Sequence, residues 1–353
     1  MDSEKKKILV LYNHLEETDE YLALRNVDPA SLDFTPEYSI AVATAEEEYA
    51  AIVEALAREG FEARAVNLKD DFDLLCRLAA EHPPDAIFNL VEFFHNDLNH
   101  EGAVAGLFDL FGIPYTGAPP LCLSLCRRKG LTKQLLVQNG ISTPRFYILK
   151  RPIIRPDHGL DYPLIIKPSR QDGSAGVDKH SVVRDYAELL HRVDRMFAAF
   201  HPPILVEEFI EGDELHVSVI GNDPPEVLPI IDFNFEELPE DHPHLITYDI
   251  KWNPLSPAYH KVHSICPADL LPETEERVKR EAVRAYQATG CRDYARVDMR
   301  LAEDGTPYVL EVNPNPDLTE GVSFMESAEA AGFGFSETLG RIVGFALGRK
   351  GEK

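Results

Sequence analysis

The sequence predicts an α/β protein that becomes α+β in its second half, and three observations carry that prediction. Short apolar runs alternate with helical patterns through residues 1–118, the signature of a parallel sheet covered on both faces. A strand ending in Lys167 runs directly into SRQDGSAGV, a loop of small residues over 169–177. Near the C-terminus, residues 293–319 read DYARVDMRLAEDGTPYVLEVNPNPDLT, two alternating runs around Asp304-Gly305 that predict a hairpin with a two-residue turn.

Composition narrows the class. The chain has 353 residues, 44% hydrophobic and 27% charged, with a net charge of −25. That describes a folded protein with room for two or three domains. The negative charge argues against nucleic acid or an anionic membrane as the main partner, so an anionic ligand needs a local cluster of cations or a metal. Five cysteines without close pairing point to a reducing compartment. The start, MDSEKKKILVLYN, holds no long apolar run and reads as neither signal peptide nor membrane anchor. A cytoplasmic location is expected. Cys122 and Cys126, four apart, share one helix face and read as small apolar fillers.

In chain order, residues 6–12 form a buried strand and 16–36 an irregular polar loop. Residues 37–58 have helical spacing closed by Gly60. Strands at 62–68 and 86–91 alternate with helices at 71–81 and 100–111. This Rossmann-like unit lacks G-x-G-x-x-G and so is not read as a dinucleotide site. His95, Asn96, Asn99, His100 and Glu101 crowd the loop after the third strand, where ligands sit in open α/β sheets. The same stretch also reads as a plain helix start capped by Asn99. Residues 121–139 form a helix broken at Gly130. Thr143-Pro144 keeps 141–149 extended, and 161–167 form the strand that ends in Lys167. Glycines in the following loop let backbone N–H groups approach phosphate oxygens, and the lysine adds charge. Further strands follow at 204–212, 214–221 and 227–233, then an acidic loop at 236–244, with His242 and His244 exposed. Tyr248 and Lys251 follow. No Cys or third His stands at ligand spacing from His260 and His263, which argues against zinc there. An amphipathic helix at 272–289 ends at Gly290.

The hairpin carries the chemistry. A two-residue turn pairs residues whose numbers sum to 609, so Asp298 faces Glu311 and Arg296 faces Asn313. Val297, Met299, Leu310 and Val312 then share an apolar face, because side chains alternate across a strand. Two carboxylates directly opposite, about 4.5–5.5 Å apart at Cβ, repel unless a cation lies between them. Asp298, Glu311 and Asn313 make an oxygen-only set that suits Mg²⁺ shared with phosphates. The alternative is a solvent-facing hairpin whose arginines neutralise the acids.

The order of these features resembles the ATP-grasp superfamily, and within it the D-alanine–D-alanine ligases. IPYTGA, RKGLTK, IIKPS, EEFIEGDE and LEVNPNPDLT echo segments of those enzymes over roughly residues 85–335. The resemblance implies an ATP-grasp fold in three parts. A Rossmann-like pre-ATP-grasp domain spans 1–118, a central lid with the phosphate loop 119–203, and a C-terminal antiparallel-sheet domain with the metal and catalytic residues 204–353. It implies ATP between two antiparallel sheets, with Lys129 and Lys167 on its phosphates and Ser174 and Gly176 in a closing loop. The Glu207 side chain and the backbone around Phe209 and Ile210 would read adenine, and Glu214 would hold the ribose. Asp298, Glu311 and Asn313 would bind two Mg²⁺ ions, with Mn²⁺ as a substitute. Arg296 would stabilise a tetrahedral intermediate, and Lys251 would steady the transferring phosphate from a loop that also carries Tyr248. The implied activity is C–N ligation of an amino-acid-like carboxylate and an amine through an acylphosphate, with a homodimer as the family default.

The sequence departs from those ligases at the substrate end. YNHLEETDE replaces their Gly/Ser-rich motif after the first strand, FFHNDLNHEG replaces their acidic-glycine segment after the third, and Glu208 stands where a lysine is common. Asp317 stands where glycine is usual, and the carboxylate-receiving serine falls near Val322-Ser323. A negative charge at Asp317 disfavours a D-alanine carboxylate. The expectation is therefore a D-alanine–D-alanine ligase-like enzyme, with three alternatives: a dipeptide or tailoring ligase using other substrates, a carboxylate kinase, or an ATP-binding regulatory protein.

Overall fold

A computed structural model describes residues 5–81 and 83–349. In chain order the first third comprises β1 (Lys7–Tyr12), the short α1 (Asp19–Ala23), α2 (Ala45–Arg58), β2 (Glu62–Asn67), α3 (Phe72–Glu81), β3 (Ala86–Leu90) and α4 (Glu101–Phe111). Its strands make a parallel sheet in the order β2-β1-β3. Then come α5 (Pro120–Cys126), α6 (Lys129–Gln138), β4 (Phe146–Leu149), β5 (Leu164–Pro168), β6 (Val182–Val183), α7 (Tyr186–Ala199) and β7 (Ile204–Glu208). These strands form an antiparallel sheet, β4-β7-β5-β6. The remainder is β8 (Asp213–Ile220), β9 (Glu226–Val227), β10 (Ile231–Asn234), α8 (Tyr248–Trp252), β11 (His263–Ile265), α9 (Pro272–Thr289), β12 (Tyr294–Leu301), β13 (Pro307–Asn313), α10 (Ser323–Ala330) and α11 (Phe335–Gly348). A second antiparallel sheet runs β11-β10-β8-β12-β13, with β9 beside β8. No helix among the described residues is long and apolar enough to cross a membrane.

Alternation along β1 explains why its sheet is covered twice. Ile8 and Val10 pack with Ile52 and Leu56 of α2 and with Ile342 and Val343 of α11. Leu9 and Leu11 point the other way, into a core with Leu75, Val104 and Phe108. That second core continues into Val217, Val297 and Val312 of the C-terminal sheet. The central sheet has its own core, in which Leu164, Ile166 and Val206 meet Leu189 and Val193 of α7. Asp293, fully buried, ties the parts together: its carboxylate accepts from Gly117 N, Asn222 Nδ2 and Arg349.

Several boundaries differ from those the sequence predicts. The helix expected from residue 37 begins at Ala45, because Thr44 and Glu47 form a reciprocal capping box that fixes the start. The peptide N–H groups of Glu37 and Tyr38 are instead held by His260 Nδ1. The helix expected over 121–139 is two helices that part at Arg127-Arg128, not at Gly130. Gly130 lies inside α6, where a Cβ would meet the Ile148 side chain at 2.6 Å. The strand expected over 227–233 is divided into β9 and β10 around Pro229, which has no N–H for a ladder. Asn99 does not cap α4. Asp97 accepts from Asn99 N instead, and the α4 cap residue His100 makes no side-chain cap bond.

The hairpin itself contains an informative error. Its turn has three residues between Ala302 and Thr306, with Gly305 left-handed at φ 74°, a turn that adds one residue to the two expected. A bulge beyond Met299 then takes up the offset, so Asp298↔Glu311 and Arg296↔Asn313 pair as expected. The cost falls on Leu310, which lines the cleft while Val309 enters the core fully buried. Val309→Ala should therefore lower stability by about 2 kcal/mol, through lost methyl burial and a residual cavity. Leu310→Ala should leave the urea midpoint nearly unchanged. Equal losses for the two variants would refute this placement of the bulge.

Candidate active site

The cleft lies where the two antiparallel sheets face each other. It brings together Lys129, Lys167, Ser174, Glu214, Lys251 and Arg296 with Asp298, Glu311 and Asn313, nine of the residues expected from the sequence. Lys129 sits in the first turn of α6, and its N–H reaches Ser169 O beside the loop after β5. Its Nζ lies 2.6 Å from Glu311 and 3.4 Å from Asp172. Burial works against the lysine charge, but Glu311 and Asp172 outweigh it and hold the pKa above the ordinary value. Glu311 answers in kind: burial opposes its charge, yet Lys129 and Lys167 depress its pKa. Asp298 receives Arg296 Nε at 2.6 Å and Nη2 at 2.9 Å, and Asn313 Nδ2 donates to it at 2.9 Å. Against the cost of burial, Arg296 keeps Asp298 ionised.

The carboxylate pair thus stands in the arrangement expected, with the protein's own cations occupying its oxygens. Two ionised carboxylates and a carboxamide oxygen form a hard donor set, and Mg²⁺ bound there would be shared with ligand phosphates. The residues fit such an ion. Such an ion would supply to Glu311 the positive charge that Lys129 now supplies.

Glu207 is placed differently from expectation. Its side chain is fully buried, with one oxygen 2.7 Å from Lys133 Nζ and the other 2.6 Å from Lys167 Nζ. In this state the carboxylate orients the two lysines and is not presented to the cleft. Lys133, absent from the expected set, also donates to Thr143 Oγ1 at 2.6 Å. Its signal was its position one helical turn after Lys129 on the same face of α6. Phe209 and Ile210 follow β7, and Ile210 O accepts from Arg300 Nε. Tyr248 lies half exposed on α8, off the cleft wall. Gly176 belongs to the loop and has φ 77°, and a Cβ there would meet Phe200 and Pro168 within 3 Å. Three contacts dock this loop on the segment before and within α8. Ser174 Oγ donates to Ile246 O, Tyr248 N to Val177 O, and Trp252 Nε1 to Gly173 O.

Two residues that build the cleft were not expected from the sequence. His216 stands opposite Asp298 across β8 and β12. Its Nδ1 lies 2.9 Å from Ser323 Oγ, and burial followed by the Arg296 charge drops its pKa to about 3. It is a neutral imidazole. Arg300, nearly inaccessible, donates to the carbonyls of Ile210, Gly212 and His244 and to Glu214 Oε2 at 3.1 Å. Glu214 also receives Ile246 N at 3.3 Å, and burial nonetheless raises its pKa. The His95–Glu101 cluster is divided by the fold. Glu101 is buried on Arg127 at 2.6 Å, whereas His95 is exposed. His260 cannot serve a metal, since Nδ1 receives two peptide N–H groups and Nε2 faces Pro254 O at 2.9 Å.

A cleft of this kind, lysines on one sheet and paired carboxylates on the other, defines a nucleotide-dependent ligase of the ATP-grasp type. Comparison with known proteins gives the family. The model of the D-ala D-ala ligase C-terminus matches residues 135–344. A D-alanine–D-alanine ligase of Nitrosospira multiformis is 34% identical over 256 residues, 71% of this chain and 77% of that protein. An uncharacterized protein, y4sG of Sinorhizobium fredii, is 33% identical over 283 residues, 78% of this chain and 81% of its own. Among solved structures, the ATP complex of D-alanine–D-alanine ligase from Bacillus anthracis superposes with a TM-score of 0.72 at 24% identity, covering 99% of both chains. The VanG D-Ala:D-Ser ligase of Enterococcus faecalis gives 0.71 at 22% identity, covering 97% of this chain and all of that one. The chain belongs to the D-alanine–D-alanine ligase family, ATP-dependent enzymes that form C–N bonds.

Arg300 offers a test of how the cleft is built. Arg300→Met leaves Glu214 buried without its cation and three carbonyls without a donor, which should cost about 3–5 kcal/mol in urea unfolding. A loss below about 1 kcal/mol would mean that water takes over those bonds.

Proposed function

We propose that the cleft activates an amino-acid-like carboxylate with Mg-ATP and passes the acyl group to an amine other than D-alanine. The observation that carries this reading is the acidic charge gathered around Asp317, the position that the family resemblance assigns to the second substrate. Glu48 has its pKa raised to about 7, first by desolvation and then by Asp317, Glu17, Glu47 and Glu92. Asp317 enters again as a repelling charge at Tyr49. A second carboxylate entering this region meets repulsion, and an amine with a cationic substituent meets attraction.

The roles are those the family resemblance implies, and the grouping of these residues in one cleft supports them. Lys129 and Lys167 neutralise the nucleotide phosphates, and Glu207 and Lys133 hold Lys167 in place. The Ser174–Gly176 turn covers the phosphates from above. The backbone around Phe209 and Ile210 reads adenine, and Glu214, held by Arg300, receives the ribose. Asp298, Glu311 and Asn313 bind two Mg²⁺ ions, for which Mn²⁺ can substitute; they neutralise charge on the transferred phosphoryl group. The substrate carboxylate takes that group to give an acylphosphate. Amine attack then expels phosphate, and Arg296 offsets the charge on the tetrahedral oxyanion. Lys251, its pKa lowered by desolvation and then by Arg296, steadies the departing phosphate.

Incubation with Mg-ATP and pooled D- and L-amino acids, followed by ADP release and product mass, tests the reading. The expected product is an amide containing a basic or otherwise larger amine component. A D-alanyl-D-alanine mass would return the chain to the activity of its named relatives. ADP formed with an acid alone would favour a carboxylate kinase, and ATP binding without turnover a regulatory protein. Lys129→Met should cut kcat/KM by at least about 100-fold, the scale of a lost preorganised charge contact, and leave the circular dichroism melt cooperative.

Glu48 gives a pH signature. Its folded pKa lies above the unfolded value, so its neutral carboxyl favours folding in full below about pH 4.5, and that advantage is lost as pH rises through about 7. Glu48→Gln should therefore be more stable than the parent at pH 8 and indistinguishable from it near pH 4, by urea unfolding. A pH-independent difference would show that Glu48 titrates normally.

A further inference from the structure

Three of the five cysteines converge behind the cleft. Cys122 and Cys126 lie one turn apart on α5, and Cys291 follows the end of α9. The Cys122 sulfur is 3.9 Å from that of Cys126 and 3.5 Å from that of Cys291, and all three lie within 4.8 Å of one another. All three thiols are free. Thiolates bound to one tetrahedral ion at about 2.3 Å stand about 3.8 Å apart. The two separations from the Cys122 sulfur bracket that value, and the third lies within 4.8 Å, a small closure from three ligands on a common centre. Apolar filling alone demands that sulfur be buried, not that three sulfurs from two separate elements meet.

The surroundings add a fourth position and an adjoining cavity. Thr289 Oγ1 lies 3.3 Å from the Cys291 sulfur while its other contacts are to carbonyls of its own helix. Cys126 lines a cavity of about 50 Å³ whose wall also includes Arg127, Lys129 and Glu311. Of the three cysteines, Cys126 is the one that lines this cavity.

We propose that Cys122, Cys126 and Cys291 form a binding site for a thiophilic closed-shell cation, Zn²⁺ or Cu⁺, separate from the Mg²⁺ set at Asp298 and Glu311. Soft thiolates select such ions over Mg²⁺. With a divalent ion M²⁺, three thiols and the ion give one M(SR)₃⁻ unit and three protons, with no change in oxidation state. Oxygen from Thr289 or from water completes the coordination.

The test uses the reduced full chain and Cd²⁺ as the probe. One equivalent should produce thiolate-to-metal charge-transfer absorption in the ultraviolet and release three protons. In partly denaturing urea, bound Cd²⁺ should slow alkylation of Cys122, Cys126 and Cys291 relative to the Cd²⁺-free chain and leave Cys76 and Cys266 unchanged, as read by peptide mass. Cys126→Ser should weaken Cd²⁺ binding by more than about tenfold, since even outer-shell partners command that much. A Cys76→Ser/Cys266→Ser double variant should bind as the parent does. Displacement by Zn²⁺ or by Cu⁺ supports the site and names its ion. Failure of both to displace Cd²⁺, unprotected triad cysteines, or binding abolished in the double variant would each overturn the proposal. Protection in the parent chain needs no substitution, so a misfolded variant does not leave the question open.

Discussion

Everything at the centre of this protein depends on one electrostatic conflict, two carboxylates set directly opposite each other on a buried hairpin. Asp298 and Glu311 pair across β12 and β13, where like charges oppose folding. The fold resolves the conflict with Arg296 from the hairpin itself and Lys129 from α6. Lys129 is thereby drawn to the face of the C-terminal sheet, and with it the whole approach of α6 to the cleft. The same logic repeats one layer deeper, where Glu207 is held between Lys133 and Lys167. In a chain carrying 60 acidic and 35 basic residues, buried lysines collected at one place make an anion site that the overall charge conceals.

The carboxylate pair was readable from the sequence because a hairpin converts spacing into contact: alternation and a tight turn suffice to place Asp298 against Glu311. The turn length was misjudged by one residue, and the later bulge hid the error at the site while exposing it at Leu310. The ordered lysines were readable through the resemblance, since Lys129 and Lys167 each stand at an element boundary next to small residues. What could not be read depends on contacts between distant segments. Arg300 looks like one more charge on the polar face, yet it gathers carbonyls from 210, 212 and 244. His216 sits in an apolar run, and only β8–β12 pairing brings it to Asp298. The Cys122, Cys126 and Cys291 cluster joins residues 165 or more positions apart, which no local periodicity encodes.

The loop over 169–177 combines a tight backbone with an acidic anchor, Asp172 on Arg127 and Lys129. Gly173 and Gly176 are left-handed, and so is Ser174 at φ 59°, which keeps the loop tight. Trp252 holds this loop by a single indole bond to Gly173 O at 2.7 Å. A contact of that kind fixes position without adding charge, whereas Asp172 in the same loop pairs with Arg127 and Lys129, so any movement of the loop changes the charge around that lysine.

The sharing of cores has a consequence for how the chain acquires its structure during synthesis. One face of the N-terminal sheet is covered by Ile342 and Val343, made long after β1 to β3, and the other joins Val217 and Val297. The central sheet, by contrast, closes its core within residues 149–206. A growing chain can therefore complete its middle first, while β1 to β3 emerge early and wait with an apolar face uncovered. Synthesis runs in one direction, but consolidation begins in the central sheet, and the N-terminal sheet closes only when α11 arrives.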